Sequence, residues 1–143
     1  MMNCNIIVVF DAGWQHVLMC RRRKNPYQGL LNFVGGKIEA GEEHLSAAYR
    51  ELFEETAISP DLISLSHVID FSYPLEHTFM EVYTGRLEKD IPVFGDENEL
   101  LWVPVESDFT DITQFAGYGN IYHMMTYITA YWESIQNHRP VLP

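Results

Sequence analysis

The sequence predicts an α/β layer structure in which a mixed sheet packs between helices, and three observations carry that prediction. Strand-length runs of β-branched and aromatic residues recur along the chain, an acidic central segment switches to apolar spacing of three and four residues, and a second segment of that kind closes the chain. Ile6 to Phe10 is the first run. It is broken by Asp11-Ala12-Gly13, and His16 to Arg22 then resumes an extended apolar character, so two strands joined by a turn are expected, with a hairpin as the simplest arrangement. Residues 23 to 29, with Asn25-Pro26 and Gly29, read as a loop, and Leu30 to Val34 as a short strand stopped by Gly35-Gly36. From Glu43 to Thr56, Leu45, Ala48, Tyr49, Leu52 and Phe53 form one apolar stripe of a helix that Pro60 keeps from running much further. Leu62 to Tyr73, His77 to Leu87 and Leu100 to Val103 return to strand composition. Ile121, Met124, Met125, Ile128, Trp132 and Ile135 lie on one face of a closing helix, with Asn120 placed as its N-cap.

Length and charge narrow the classes of function. At 143 residues the chain fits one domain, 1–143, without repeats or linkers. Nine Lys and Arg against 20 Asp and Glu give a net charge of −11, which argues against a nucleic-acid polymer or an anionic membrane as partner. An apolar content of 47% is too rich for a disordered segment, and the longest apolar run is too short to span a bilayer, so a soluble globular domain is expected. The first residues show no basic, apolar leader pattern, and Cys4 and Cys20 lack metal or redox spacing. A reducing cytoplasm is the expected setting.

The central helix carries the chemistry. Glu51, Glu54 and Glu55 stand at i, i+3 and i+4, which at about 100° per residue groups them on one side, expected to face away from the apolar stripe. Between Lys37 and Arg86 the only Lys or Arg is Arg50, against ten acids, so the three carboxylates have little compensation. Two readings remain open for the helix alone: a solvated acidic face, or a face that binds a divalent cation, since Mg²⁺ takes oxygen ligands and prefers one or two carboxylates plus substrate phosphates. Just before it, Gly35-Gly36-Lys37-Ile38-Glu39-Ala40-Gly41-Glu42 supplies glycines that allow close backbone approach to an ion or a phosphate. The whole pattern is Gly36, five residues, Glu42, seven residues, Arg50-Glu51-Leu52, one residue, Glu54-Glu55, one residue, Ala57-Ile58.

That pattern resembles the Nudix box of the Nudix (MutT-like) hydrolases, matching every fixed position except the Gly at Ala57. The resemblance implies a Nudix-type α/β/α sandwich and Mg²⁺- or Mn²⁺-dependent hydrolysis of a diphosphate linked to a nucleoside or similar group. By the same resemblance Glu54, Glu55 and the Gly35 carbonyl are expected metal ligands, and Glu51 binds metal or orients and deprotonates the attacking water. Arg50 is expected to brace the glutamates or the loop, and also suits an i,i+4 pair with Glu54. Glu42 is either an outer metal ligand or an anion at the helix start. The family takes a further ligand from outside the box, and here Asp96-Glu97-Asn98-Glu99 is the source, with Glu97 and Glu99 both candidates and Glu99 preferred.

Substrate recognition rests on fewer residues. Arg21-Arg22-Arg23-Lys24 concentrates four of the nine basic residues, and the position matched to Arg22 contacts substrate phosphates in the family. The competing reading is a solubility patch at a strand end. Relatives that recognise oxidised purine nucleotides read the base with an Asn at the position of Asn32, and others place a polar reader near Asn120; turn and cap roles compete with both. Tyr27, Phe33, Phe71, Phe79 and Tyr118 are aromatic enough to stack on a base but individually suit packing. His16, His67, His77 and His123 show no ligand spacing. The expected reaction is cleavage of a nucleoside triphosphate, with an oxidised purine nucleotide as the candidate, to the monophosphate and pyrophosphate by a monomer or homodimer. The alternatives are an ADP-ribose or nucleotide-sugar pyrophosphatase and a catalytically silent nucleotide-binding module.

Overall fold

The computed structural model describes residues 1–136, and residues 137–143 of the expected 1–143 domain lie outside the described residues. Six strands and two helices form an α/β/α sandwich. The elements are β1 (Met2–Phe10), β2 (His16–Arg21), β3 (Leu31–Lys37), α1 (His44–Thr56), β4 (Ser66–Tyr73), β5 (Thr78–Arg86), β6 (Glu99–Pro104) and α2 (Asn120–Gln136). They assemble into one sheet of order β4-β5-β1-β3-β2-β6, in which only β1 and β5 run parallel. Sitting between β5 and β3, β1 is covered on both faces, which explains its unbroken apolar run. Ile6, Val8 and Phe10 join the core under α2, while Ile7 and Val9 join the core under α1. Among the described residues no helix is long and apolar enough to cross a membrane.

Several expectations are corrected by tertiary pairing. The hairpin of the first two strands is opened: β1 and β2 pair only at Phe10 and Val17, because β3 inserts between them. Rather than stopping at Val34, β3 runs through both glycines, which pair with Ile6 and Asn5 of β1. Of the expected stretch from Leu62 to Tyr73, the beginning is a 3-10 turn at Pro60–Leu62 and the strand starts at Ser66.

The helices are also turned relative to expectation. In α1 the buried residues are Ala47, Ala48, Leu52 and Thr56, whereas Leu45 and Phe53 are exposed. That rotation brings Glu51 and Glu55 towards the sheet instead of away from it: the Glu51 side chain is 13% exposed and Glu54 55%. Glu43 caps α1, its carboxylate accepting from the Leu45 and Ser46 amides, and Ala57 ends the helix in the left-handed conformation at φ 66° despite its Cβ. In α2, Ile121, Met124, Met125 and Ile128 are buried and Trp132 packs against them, but Ile135 is exposed. Asn120 is the first helical residue rather than the cap before it.

Candidate active site

The Gly35-Gly36 segment lies near the end of β3 against α1, and at Gly35 a glycine is sterically required. Gly35 has φ 150°, and a Cβ there would collide with the Asn5 carbonyl oxygen; a Cβ on Gly36 would collide with the Glu51 carboxylate. The backbone is therefore in direct contact with the acidic helix, and the Gly35 amide donates to Glu55 Oε2 at 3.4 Å. Glu51, Glu54 and Glu55 from α1, with Asp96 and Glu97 from the loop before β6, line one cavity of about 550 Å³. Cys20 forms part of its wall. Burial pushes the Cys20 thiol up to about 11, so it stays protonated and the charged donors facing the cavity are all carboxylate oxygens.

Among the described residues, Arg50 is the one cation bonded to the box carboxylates. Its Nε and Nη2 grip the two carboxylate oxygens of Glu42 at 2.6 and 2.9 Å, and its Nη1 reaches Glu51 Oε1 and Glu54 Oε2 at 3.1 Å each. Nη2 also donates to the Lys37 carbonyl at 3.2 Å, which ties the loop to the helix. This pairing holds the Glu42 carboxyl down to about 2. Glu42 precedes the cap residue, so it is not a first-turn anion; its carboxylate belongs to Arg50. One guanidinium serves three carboxylates, while Glu55, Asp96 and Glu97 have only the basic segment across their recess. Burial raises Glu51 above the ordinary carboxylate range, and burial together with Glu51 and Glu97 pushes Glu55 up to about 7 against its bond from the Gly35 amide and the more distant Arg22.

Among the described residues no three His, Cys, Asp or Glu side chains converge on one point. Glu51 and Glu54 turn onto Arg50, and Glu55 onto the Gly35 amide. The donor set nevertheless suits a hard divalent cation: carboxylates from half-buried to exposed that outnumber the one guanidinium bonded to them, beside a glycine backbone open to close approach. Of the two candidate ligands outside the box, Glu97 lies in the cavity near Glu55, whereas Glu99 begins β6 and faces Arg21 at 3.6 Å. Of the two, Glu97 is the one that lines the carboxylate cavity.

The basic segment sits at the same mouth. Arg22, Arg23 and Lys24 line a recess of about 450 Å³ together with Glu55, Asp96, Glu97 and Asn98. Arg22 Nε donates to the Pro26 carbonyl at 2.7 Å, and Arg23 pins the acidic loop through its amide to Asn98 Oδ1 and its guanidinium to the Asp96 carbonyl. A more apolar cavity of about 410 Å³ opens on the α2 side of the sheet, and Asn32 and Asn120 both line it. Tyr27 and Tyr118 stand at this cavity with ring centres 5.6 Å apart, while Phe33 is buried in the core and Phe71 packs against it. Phe79 lines none of these cavities.

A buried polar layer beneath the glycines was not singled out from the sequence. Asn5, 1% exposed, accepts from the Gly36 amide through Oδ1 at 3.0 Å. Its Nδ2 is buried and has no partner among the described residues. A neutral hydrogen bond contributes about 0.5–1.5 kcal/mol net and an orphaned buried donor costs about 1–3 kcal/mol, so the unpartnered Nδ2 offsets the bond to Gly36. Beside it on β5, Glu81 is buried and bonded to the Tyr83 hydroxyl at 2.7 Å and to His44 Nδ1 at 2.5 Å. The only signal for Asn5 in the sequence is an amide directly before an apolar run.

Comparison with known proteins bears on the family and the fold. The chain matches the family model described as NUDIX domain over residues 3–122. It is 30% identical over 94 residues to an ADP-ribose pyrophosphatase of Methanocaldococcus jannaschii, covering 57% of this chain and 56% of that protein. It is 28% identical over 103 residues to an oxidized purine nucleoside triphosphate hydrolase of Danio rerio, covering 71% and 65%. In both cases the match spans less than two thirds of the relative's length. The crystal structure of a C. elegans Ap4A hydrolase binary complex has the same fold, with a TM-score of 0.75 at 15% identity, covering 94% of this chain and 99% of that one.

Proposed function

Because the chain belongs to the NUDIX domain family, we propose that it is a Mg²⁺-dependent (or Mn²⁺-dependent) hydrolase that cleaves a nucleoside triphosphate bearing an oxidised purine to the monophosphate and pyrophosphate. The observation that carries this reading is a pair of cavities that both reach β3, the first at Gly36 and the second at Asn32. One is walled by carboxylates and the other, more apolar, is lined by Asn32 from β3 and Asn120 from α2. An amide presents a donor and an acceptor together, which suits the edge of a purine, and the Tyr27 and Tyr118 rings offer faces for stacking.

Gly35, Glu51, Glu54, Glu55 and Glu97 are the residues that would hold the cation. When bound, the cation would screen the phosphates and lower the pKa of water. Arg22 meets the triphosphate at the mouth and lowers the cost of bringing it to an acidic site. Glu51, close-packed on Gly36, orients and takes the proton of the attacking water, while Arg50 fixes its carboxylate. Water adds to phosphorus, the anhydride between the α and β phosphates breaks, and pyrophosphate leaves. The two free cysteines fit a reducing, cytoplasmic setting.

The test is a panel of 8-oxo-dGTP, dGTP, dATP, ADP-ribose and nucleotide sugars with Mg²⁺, monitored for pyrophosphate and for phosphate after phosphatase coupling. Release of pyrophosphate from the oxidised purine nucleotide at the highest kcat/KM is expected. Asn32→Ala should narrow the gap between good and poor bases about tenfold, because a polar base edge is left unpaired. Fastest cleavage of ADP-ribose would move the assignment to the pyrophosphatase reading, and no turnover of any substrate to the silent module.

A further inference from the structure

We propose that Asn5 is a positioning residue that aims the Gly35 carbonyl into the carboxylate cavity, and this rests on the cation-binding reading of that cavity. The argument starts from the peptide between Gly35 and Gly36. It is a trans peptide, since among the described residues the one cis bond is Asn25-Pro26. In a planar trans unit the N–H and the C=O point in opposite directions. Asn5 Oδ1 takes the Gly36 N–H at 3.0 Å on the β1 side of β3. The Gly35 carbonyl is thereby turned off β1 and towards the β2 side, where Cys20 and Glu55 line the cavity.

Two features show that the side chain is there for this contact rather than for packing. Asn5 is fully enclosed, yet it leaves its Nδ2 without a partner among the described residues, so it accepts an incomplete set of bonds in order to present Oδ1. Reversing the amide would face two donors at each other, so the orientation is fixed by Gly36 itself. The β1 backbone also lies so close to Gly35 that an added Cβ would meet the Asn5 carbonyl. The carbonyl direction is thus held from β1, a strand that contributes no side chain to the cavity wall.

The experiment uses the full chain without substrate. Mn²⁺ affinity is read by electron paramagnetic resonance, and Mg²⁺ is titrated while following the Gly35 carbonyl ¹³C and Gly36 ¹⁵N resonances. Wild type should bind and shift both resonances. Asn5→Leu, which fills the slot without an acceptor, should bind Mn²⁺ about 10- to 100-fold more weakly and lose the Gly35 carbonyl shift, as expected for an outer partner of a ligand. Its thermal midpoint in EDTA should equal or exceed that of wild type. Asn5→Asp, which keeps the acceptor, should bind at least as well as wild type. A folded Asn5→Leu with affinity within twofold of wild type would overturn the proposal, as would a parallel loss of affinity and thermal midpoint, which marks a packing role. If Asn5→Leu does not fold, Asn5→Ser, too short to reach Gly36, is read by the same criteria. Failure of wild type to bind either ion would overturn the cation reading as well, and so is distinguished from failure of the Asn5 assignment alone.

Discussion

Glu55 offers the sharpest test of the acidic site, because its burial sets a stability cost that a single substitution removes. The carboxyl rises from an ordinary 4.5 to about 7, chiefly through burial. Folded and unfolded chains therefore bind the same number of protons below pH 4.5, but between 4.5 and 7 the folded chain binds more, and stability falls as pH rises. Above pH 7 the deficit is complete. At about 1.4 kcal/mol for each pH unit, the interval of about 2.5 units corresponds to about 3 kcal/mol. Glu55→Gln keeps the volume and an acceptor for the Gly35 amide while removing the charge, so in EDTA at pH 8 it should be more stable by up to about 3 kcal/mol. For a chain of this size that raises the thermal midpoint by roughly 5–10 °C. The assay is thermal unfolding from pH 4 to 8.5, with and without Mg²⁺. The variant and wild type should converge near pH 4, and Mg²⁺ should stabilise wild type alone, since only an ion-binding native state gains from added ligand. A variant no more stable than wild type at pH 8 in EDTA would refute the reasoning and return the acidic face to a solvated role.

Two further outcomes follow from single residues. Arg22→Ala should raise KM for the triphosphate about tenfold or more with kcat little changed, the scale of one charged hydrogen bond, and steady-state kinetics in which neither constant moves would remove Arg22 from the site. Ala57→Gly should stabilise the protein by about 0.5–1 kcal/mol, because φ 66° strains a residue with a Cβ; an unaltered or lower thermal midpoint would show that the cap carries no strain, and kcat/KM is expected to stay at the wild-type value.

How much was legible in the sequence depended on whether the signal was local. The helix from Glu43 to Thr56 was readable because apolar spacing and the Pro60 limit are local, and the box was readable because its residues lie within one loop and one helix. Which face of α1 meets the sheet was not readable. Leu45 and Phe53 are as apolar as Leu52, and it is the seating of the helix on β3, with Glu51 against Gly36, that turns Glu51 and Glu55 inward. The same glycines looked like a strand stop, since Gly-Gly is a turn signal when no partner strand is known. Insertion of β3 between β1 and β2 supplies that partner, and with it the contact to Asn5.

The choice between Glu97 and Glu99 illustrates the same limit at a finer scale. Both were candidates because they share a side if the strand is extended that far back. In the fold β6 begins at Glu99, whose ladder partner is Arg21, so its carboxylate is drawn to a cation across the sheet. Glu97 lies ahead of the strand in a loop tethered through Asn98 and the Asp96 carbonyl to Arg23, and that tether carries it over Glu55. The basic segment thus has a second consequence beyond any contact with phosphate: by holding residues 96–98 it sets which acid joins the cavity. A change at Arg23 is therefore expected to act on the acidic wall, whereas a change at Arg22 acts on the substrate.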